Sequence, residues 1–369
     1  MRKRLELIVA AIATFALLAA CSSSANPSTT TGVTTAPTTT TTEPGTTTSS
    51  ADTTTTTTAP TTTTPTPDQT STLLLYPFSE LGPNWTETFY PYGDTEDTMS
   101  TSPGGDNGSV DWGPDYGTQT PDGTWWFLDG ANLRIAHFAA DGTYLDQIPM
   151  PTDLLSQGIY FQYQLPQALD DGSIWMSGYG RPLVRIADGT VSGSTIADSI
   201  PWTTTDGTYL YGFSLDDGAM ARLDPNNPPI ETVDWFTTRS GTRYRITVQG
   251  DEVLVELPDG PVPLTRTLQM RFSEDPNVVA HAGLEVDTGV DGSINIILYG
   301  APESDETMGV GAFVTITADG VVGESEPIRD PFSPSDPGSP AHLGVTPKTS
   351  TPWLMMIDED GVRVYTKGG

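Results

Sequence analysis

The stretch Pro121 to Pro151, PDGTWWFLDGANLRIAHFAADGTYLDQIPMP, decides the fold. Asp122-Gly123 forms a turn that launches the aromatic run Thr124 to Asp129. A short turn through Gly130 and Ala131 leads into the alternating run Leu133 to Phe138. Asp141-Gly142 then opens a last strand, Tyr144 to Ile148. Asp-Gly between β-rich runs signals a hairpin, because Gly takes positive φ without a Cβ clash and Asp tolerates it. Three strands joined by tight turns within about thirty residues make most of a propeller blade.

Outward from this unit the pattern repeats. Asp-Gly followed by Thr or Ser opens units at Asp122, Asp171, Asp206 and Asp291, in steps of 49, 35 and 85 residues. The long last step predicts a degenerate unit between: Arg243 to Gln249, a Gly250-Asp251 turn, and Glu252 to Leu257 closed by Asp259-Gly260. A sixth unit reads Trp353 to Asp358, then Asp360-Gly361 turning into Val362 to Thr366. A period of about 40 to 45 residues with several strands each is that of a propeller. The expected fold is therefore all-β, a β-propeller of six blades over residues 73–369, with room for a seventh only in 73–119. A β-sandwich is the alternative, but sandwiches need no internal period of this length. A continuous parallel sheet is excluded, since no helical pattern separates the strands.

The sixth unit lacks a fourth strand, and an open edge would be a template for aggregation. Trp85 to Tyr92, WTETFYPY, has strand composition and is predicted to pair around Val362 to Thr366. Pro91 would then sit at its end or outer edge, where a missing N–H is harmless.

The N-terminal fifth is different in kind. Arg2, Lys3 and Arg4 precede the apolar run Leu7 to Leu18, a leader layout too short to span a bilayer. Residues 1–20 are read as a signal peptide. Leu18-Ala19-Ala20-Cys21, followed by Ser22 to Ser24, resembles the lipobox of bacterial lipoproteins. That resemblance implies cleavage before Cys21 and its diacylation, and two acyl chains give stable anchoring. Cys21 is the only cysteine, so no intramolecular disulfide supports the fold. Ser22 to Thr72 is a Thr/Pro/Ser tract without Lys, Arg or aromatics. It has too little to bury to offset the entropy of ordering, so 21–72 is read as lipid attachment site and disordered linker. Its 51 residues would reach roughly 160 Å stretched, or nearer about 40 Å as a coil. Such tracts are often O-glycosylated; the sequons at Asn84 and Asn107 carry little weight beside a lipobox.

The formal charge is −31; without the leader it is −33, from 13 basic and 46 acidic residues. So acidic a surface is repelled by nucleic acid and anionic lipid. No basic, aromatic-interleaved stripe, phosphate-cradling loop or glycine-framed nucleophile is present. The expected location is extracytoplasmic, on a membrane reached through the anchor.

One further resemblance can be named. Asp129-Gly-Ala-Asn132-Leu-Arg134-Ile135, with its aromatic run before and Asp141-Gly142 after, resembles an NHL repeat of the kind seen in gluconolactonase-like propellers. Only this unit matches well; Val184-Arg185-Ile186 keeps the Arg but loses the Asp and Asn. The resemblance implies fold rather than function, since propellers host lactonases, lyases and binding scaffolds alike.

The three histidines, His137, His281 and His342, have no zinc-type spacing. No cofactor is expected. Ca2+ is the ion that an oxygen-rich surface leaves open, but Asp358-Glu359-Asp360-Gly361 reads as a turn, because the closing Glu of a calcium loop is missing. If the strand before each turn is innermost, Val278 to Val286 and Ala341 to Thr346 line the channel. That placement puts His281, Glu285, Asp287 and His342 on adjacent blades as candidate acid–base residues. Two loops, Ala301 to Met308 and Asp330 to Pro340, are further candidates for binding. Two function classes follow: a binding or scaffold module for a protein, small-molecule or carbohydrate ligand, or a lactonase-like hydrolase or lyase acting in the channel.

Overall fold

The computed structural model describes residues 68–79, 81–100, 114, 116–151, 166–176, 182–197, 200, 202–214, 219–227, 229–259, 263–305, 308–329, 342–358 and 360–368. The leader, Cys21, the tract up to residue 67, Asn107 and the 330–340 insert lie outside the described residues.

Two strands precede the repeats, β1 (Asp68–Pro77) and β2 (Trp85–Pro91). The first meander is β3 (Tyr116–Gln119), β4 (Trp125–Asp129), β5 (Arg134–Phe138) and β6 (Tyr144–Pro149). The second is β7 (Pro166–Ala168), β8 (Ile174–Met176), β9 (Pro182–Ala187) and β10 (Thr190–Ala197). The third is β11 (Trp202–Thr205), β12 (Leu210–Phe213), β13 (Met220–Leu223) and β14 (Glu231–Thr232). The fourth is β15 (Phe236–Thr237), β16 (Arg243–Gln249), β17 (Glu252–Leu257) and β18 (Leu264–Phe272). The fifth is β19 (Ala280–Thr288), β20 (Ile294–Pro302) and β21 (Val310–Ile316), and the sixth is β22 (His342–Val345), β23 (Pro352–Ile357) and β24 (Gly361–Lys367).

The Asp-Gly-Ser/Thr turns work as their chemistry dictates. In each, one aspartate oxygen accepts the N–H two residues on: Asp122 from Thr124 at 3.1 Å, Asp171 from Ser173 at 2.9 Å, Asp206 from Thr208 at 2.9 Å and Asp291 from Ser293 at 3.0 Å. The glycine supplies positive φ, 92° at Gly123 and 81° at Gly292.

Alternation along each strand then joins neighbouring sheets face to face. From β4, Leu128 packs with Ile174, Met176 and Val184 of the second meander, while Trp125 and Phe127 pack with Trp353, Met355 and Val364 of the sixth. Similar cores link the second to the third through Trp175 and Trp202, and the fifth to the sixth through Phe313 and Met356. A larger cluster spans the third, fourth and fifth. Sheets that pack in sequence order, with the last on the first, form a β-propeller.

The ring is closed by β2, which pairs antiparallel with β24 from Trp85↔Lys367 to Pro91↔Gly361. Pro91 ends the strand, as expected, and a Cβ at Gly361 would lie 2.4 Å from the Tyr90 carbonyl oxygen. No sheet is built from 73–119 alone among the described residues, because β1, β2 and β3 join three different sheets.

Three expectations are corrected. The 21–72 linker gives way to structure at Asp68, since Asp68 to Leu75 pairs in parallel with Thr265 to Phe272. Tyr76 and Pro77 then pair antiparallel with Gly311 and Val310, so β1 covers the edges of β18 and β21 and joins two meanders in one eight-stranded sheet. The polar start of β1 disguised it, because Asp68 to Thr72 pair on one side only and need no more than their backbone to do so. The fourth meander is also shifted: Arg243 to Gln249 is its second strand, not its first. Its opening turn is Thr238 to Gly241, where Gly241 has φ 89° and Ser240 stands in the aspartate position. At the other loop site, β20 continues through Pro302, so the acidic loop begins at Glu303.

Removing residues 22–67 should leave the thermal midpoint unchanged, whereas removing residues through Pro77 should lower it and cause aggregation. Leu73 and Leu75, 2% and 0% exposed, carry the apolar part of that loss. Leu75→Ala should cost about 2–5 kcal/mol, a fall on the order of 5–10 °C by calorimetry.

Candidate functional site

An innermost propeller strand has one backbone edge facing the channel, and its N–H groups need acceptors. Here β3, β7, β11, β19 and β22 neighbour one another in a closed ring. The two-residue β15 leaves β11 against β19, with Thr204 Oγ1 3.4 Å from Asp287 Oδ1. The acceptors for β22 come from side chains of β19. Glu285 Oε2 accepts the Leu343 N–H at 3.1 Å, and Asp287 Oδ2 accepts that of Val345 at 2.7 Å.

The structure thus brings three of the four candidates together. Glu285 and Asp287 point the same way from β19, and His342 Nδ1 lies 3.9 Å from Glu285 Oε1. His281 does not join them; it is exposed at the start of β19, towards Asp251. The His342 ring packs on Tyr116 at 4.3 Å between centroids. The Tyr299 phenol faces Glu285 and Tyr116, and is raised first by burial and then by these neighbours. Glu285 keeps 23% of its side chain accessible although protein surrounds it, as befits the wall of a narrow channel.

Burial pushes the Glu285 carboxyl up to about 7, partly offset by the Leu343 N–H. Burial likewise pushes Asp287 up to about 6, offset by Arg239 and by N–H groups of Thr288 and Val345. Arg239, on the opening turn of the fourth meander, has a side chain only 4% exposed. It reaches the second meander, pairing with Asp170 and donating to the Ala168 carbonyl at 2.8 Å. Sequence reasoning missed Tyr116, Thr204 and Arg239, which come from other meanders, and Tyr299, which lies on the hairpin partner of β19.

The other residues singled out from the sequence are held in local networks of hydrogen bonds and ion pairs. Arg134 donates to Asp129 at 2.7 Å, to the Glu96 carbonyl at 2.9 Å and to the Thr98 carbonyl at 2.5 Å. Asn132, itself exposed, also donates to Asp129, so buried Asp129 and Arg134 form a clamp beside a cleft of about 390 Å³. His137 stacks on Trp126 at 3.8 Å and bonds Asp146. In the acidic turn, Asp358 and Asp360 are engaged by Arg363, and Asp358 also by Arg329.

The sheets define the chain as an all-β propeller. The sequence profile of a family described as a domain of unknown function (DUF7485) matches residues 83–367, and the chain belongs to that family. A search of curated proteins found no match. Among solved structures, the chain is similar to hydrazine synthase of Kuenenia stuttgartiensis, with 14% identity, 65% of this chain and 73% of that one covered, and a TM-score of 0.40. It is similar to virginiamycin B lyase from Staphylococcus aureus, with 13% identity, 73% and 81% coverage, and a TM-score of 0.38. It is also similar to regucalcin, a calcium-binding protein from Agrobacterium tumefaciens, with 11% identity, 81% and 97% coverage, and a TM-score of 0.40.

Raised carboxyl pKa values fix the sign of a pH effect. Glu285 and Asp287 bind protons more tightly folded than unfolded, so their contribution is full below about pH 4 and is lost as pH rises through 6 to 7. The thermal midpoint should therefore fall between pH 5 and pH 8. Glu285→Gln should flatten that fall, and the difference from the parent isolates the contribution of Glu285.

Proposed function

We propose that this protein is a lipid-anchored, extracytoplasmic binding module whose propeller channel takes a small ligand. The observation that carries the reading is the convergence of Glu285, His342, Tyr116 and Tyr299 from four strands of three meanders. An aromatic-walled recess with a few polar groups is what small-molecule sites require. The leader and Cys21 supply the anchor, and the Thr/Pro tract holds the domain clear of the membrane. Replacing Cys21 with Ser should leave the protein unprocessed or release it from the membrane fraction. Processing at residue 20 with retention on the membrane would defeat the anchor.

The channel reading is tested by a thermal-shift screen of amines, sugars, lactones and carboxylates against the parent, the isosteric variant Glu285→Gln and the smaller polar variant His342→Asn. A ligand that stabilises the parent should lose most of its shift in both variants. A ligand whose shift survives both would place the site elsewhere.

A second reading has its own observation. A carboxyl pushed to about 7 beside an imidazole 3.9 Å away is an arrangement suited to general acid–base chemistry in a lyase or hydrolase. Under that reading, turnover of a lactone or ester in the screen would be abolished by Glu285→Gln with binding retained.

A further inference from the structure

We propose that the channel site at Glu285 recognises a small organic cation, a protonated primary amine carrying an apolar or aromatic tail. This rests on the channel-binding reading and names its ligand class. The argument begins with the uneven placement of positive charge in the channel. Because β15 is only two residues long, the turn that follows it carries the Arg239 side chain towards the second meander. The guanidinium is fixed there by Asp170 and by the Ala168 carbonyl, and it lies close enough to Asp287 to favour that carboxylate. Asp287 has its counter-charge.

Glu285, two residues earlier on the same face, has none from Lys or Arg among the described residues. One of its oxygens accepts the Leu343 N–H, and the other lies 3.9 Å from His342 Nδ1, beyond hydrogen-bond distance. Among the described residues the groups around it are His342 on β22, with Tyr116 of β3 packed on its ring, Tyr299 on β20, and Asp287 two residues along β19. A carboxylate with accessible surface beside aromatic side chains is the chemistry that holds an ammonium group. An anionic ligand would meet two carboxylates. A divalent metal would need three donors aimed at one point, and among the described residues no such set is formed, Glu285, Asp287 and His342 being neighbours without that geometry. An ammonium needs only one carboxylate and the aromatic walls. The raised pKa of Glu285 agrees with this, because a bound cation would return the carboxyl towards its ordinary range and expel its proton.

The test is calorimetric titration of the purified protein at pH 6.5 with benzylammonium and with its uncharged counterpart, benzyl alcohol, in two buffers of different ionisation enthalpy. Benzylammonium should bind at least ten times more tightly than benzyl alcohol, with net proton release to buffer. Glu285→Gln should weaken it at least tenfold, and by more than Asp287→Asn does, with each variant's folding checked by its thermal midpoint. Equal binding of the alcohol, binding that survives Glu285→Gln, or no binding of benzylammonium or n-butylammonium would overturn the proposal. If an uncharged or anionic compound instead binds in a manner that depends on Glu285 and His342, the channel reading stands and the cation class falls. If no compound depends on either residue, both fall.

Discussion

The pairing of β2 with β24 is the constraint on which the rest depends. A propeller's sheets meet face to face, so each core is made by two neighbours and none is complete alone. Trp125 and Phe127 at the start of the repeats are buried only because Trp353, Met355 and Val364 arrive from the end of the chain. Tyr90 of β2 lies inside that same cluster, 4.7 Å from Phe127 and 5.1 Å from Phe138 between ring centroids. Closing the ring thus joins backbone ladder and aromatic core in one step, at the expense of a large loop closure. Residues far apart in sequence hold the domain together, and cooperative loss is the consequence of opening it there.

β1 extends the same logic to two more edges. It runs parallel along β18 and then antiparallel to β21, giving partners to backbone groups that an open edge would expose. The segment entering the domain therefore serves three meanders in succession. The channel takes its character from the ring as well. With β15 reduced to two residues, Arg239 comes to lie beside Asp287 and the two β19 carboxylates become unlike: one compensated, one not. Both also act as acceptors for the inner edge of β22, so the same side chains hold two meanders together and define the site.

What the sequence discloses follows the range of the forces involved. Asp-Gly-Ser/Thr turns are legible because the chemistry is local: the carboxylate, the N–H it accepts and the glycine lie within three residues. The turn at Ser240-Gly241 escapes because serine replaces the aspartate, and the fourth meander is misread by one strand as a result. β1 escapes because its polar first half, Asp68 to Thr72, is compositionally continuous with the tract before it and pairs with residues nearly two hundred positions away. Glu285, Asp287 and His342 are legible by one inference, that strands before the turns are innermost. His281 follows the same rule yet lies at the exposed end of its strand. Tyr116 obeys the same rule but carries no acid–base signal, Tyr299 reaches Glu285 from the neighbouring strand β20, and Arg239 is brought in only by ring closure.

Native-state hydrogen exchange tests ring closure most directly. The amides of β2 and β24 should exchange only through global unfolding, with the same free energy and denaturant dependence as those of β4 and β20. If β2 exchanges through a low-energy local opening while β4 and β20 stay protected, the ends of the chain do not hold the propeller together, and the account is wrong.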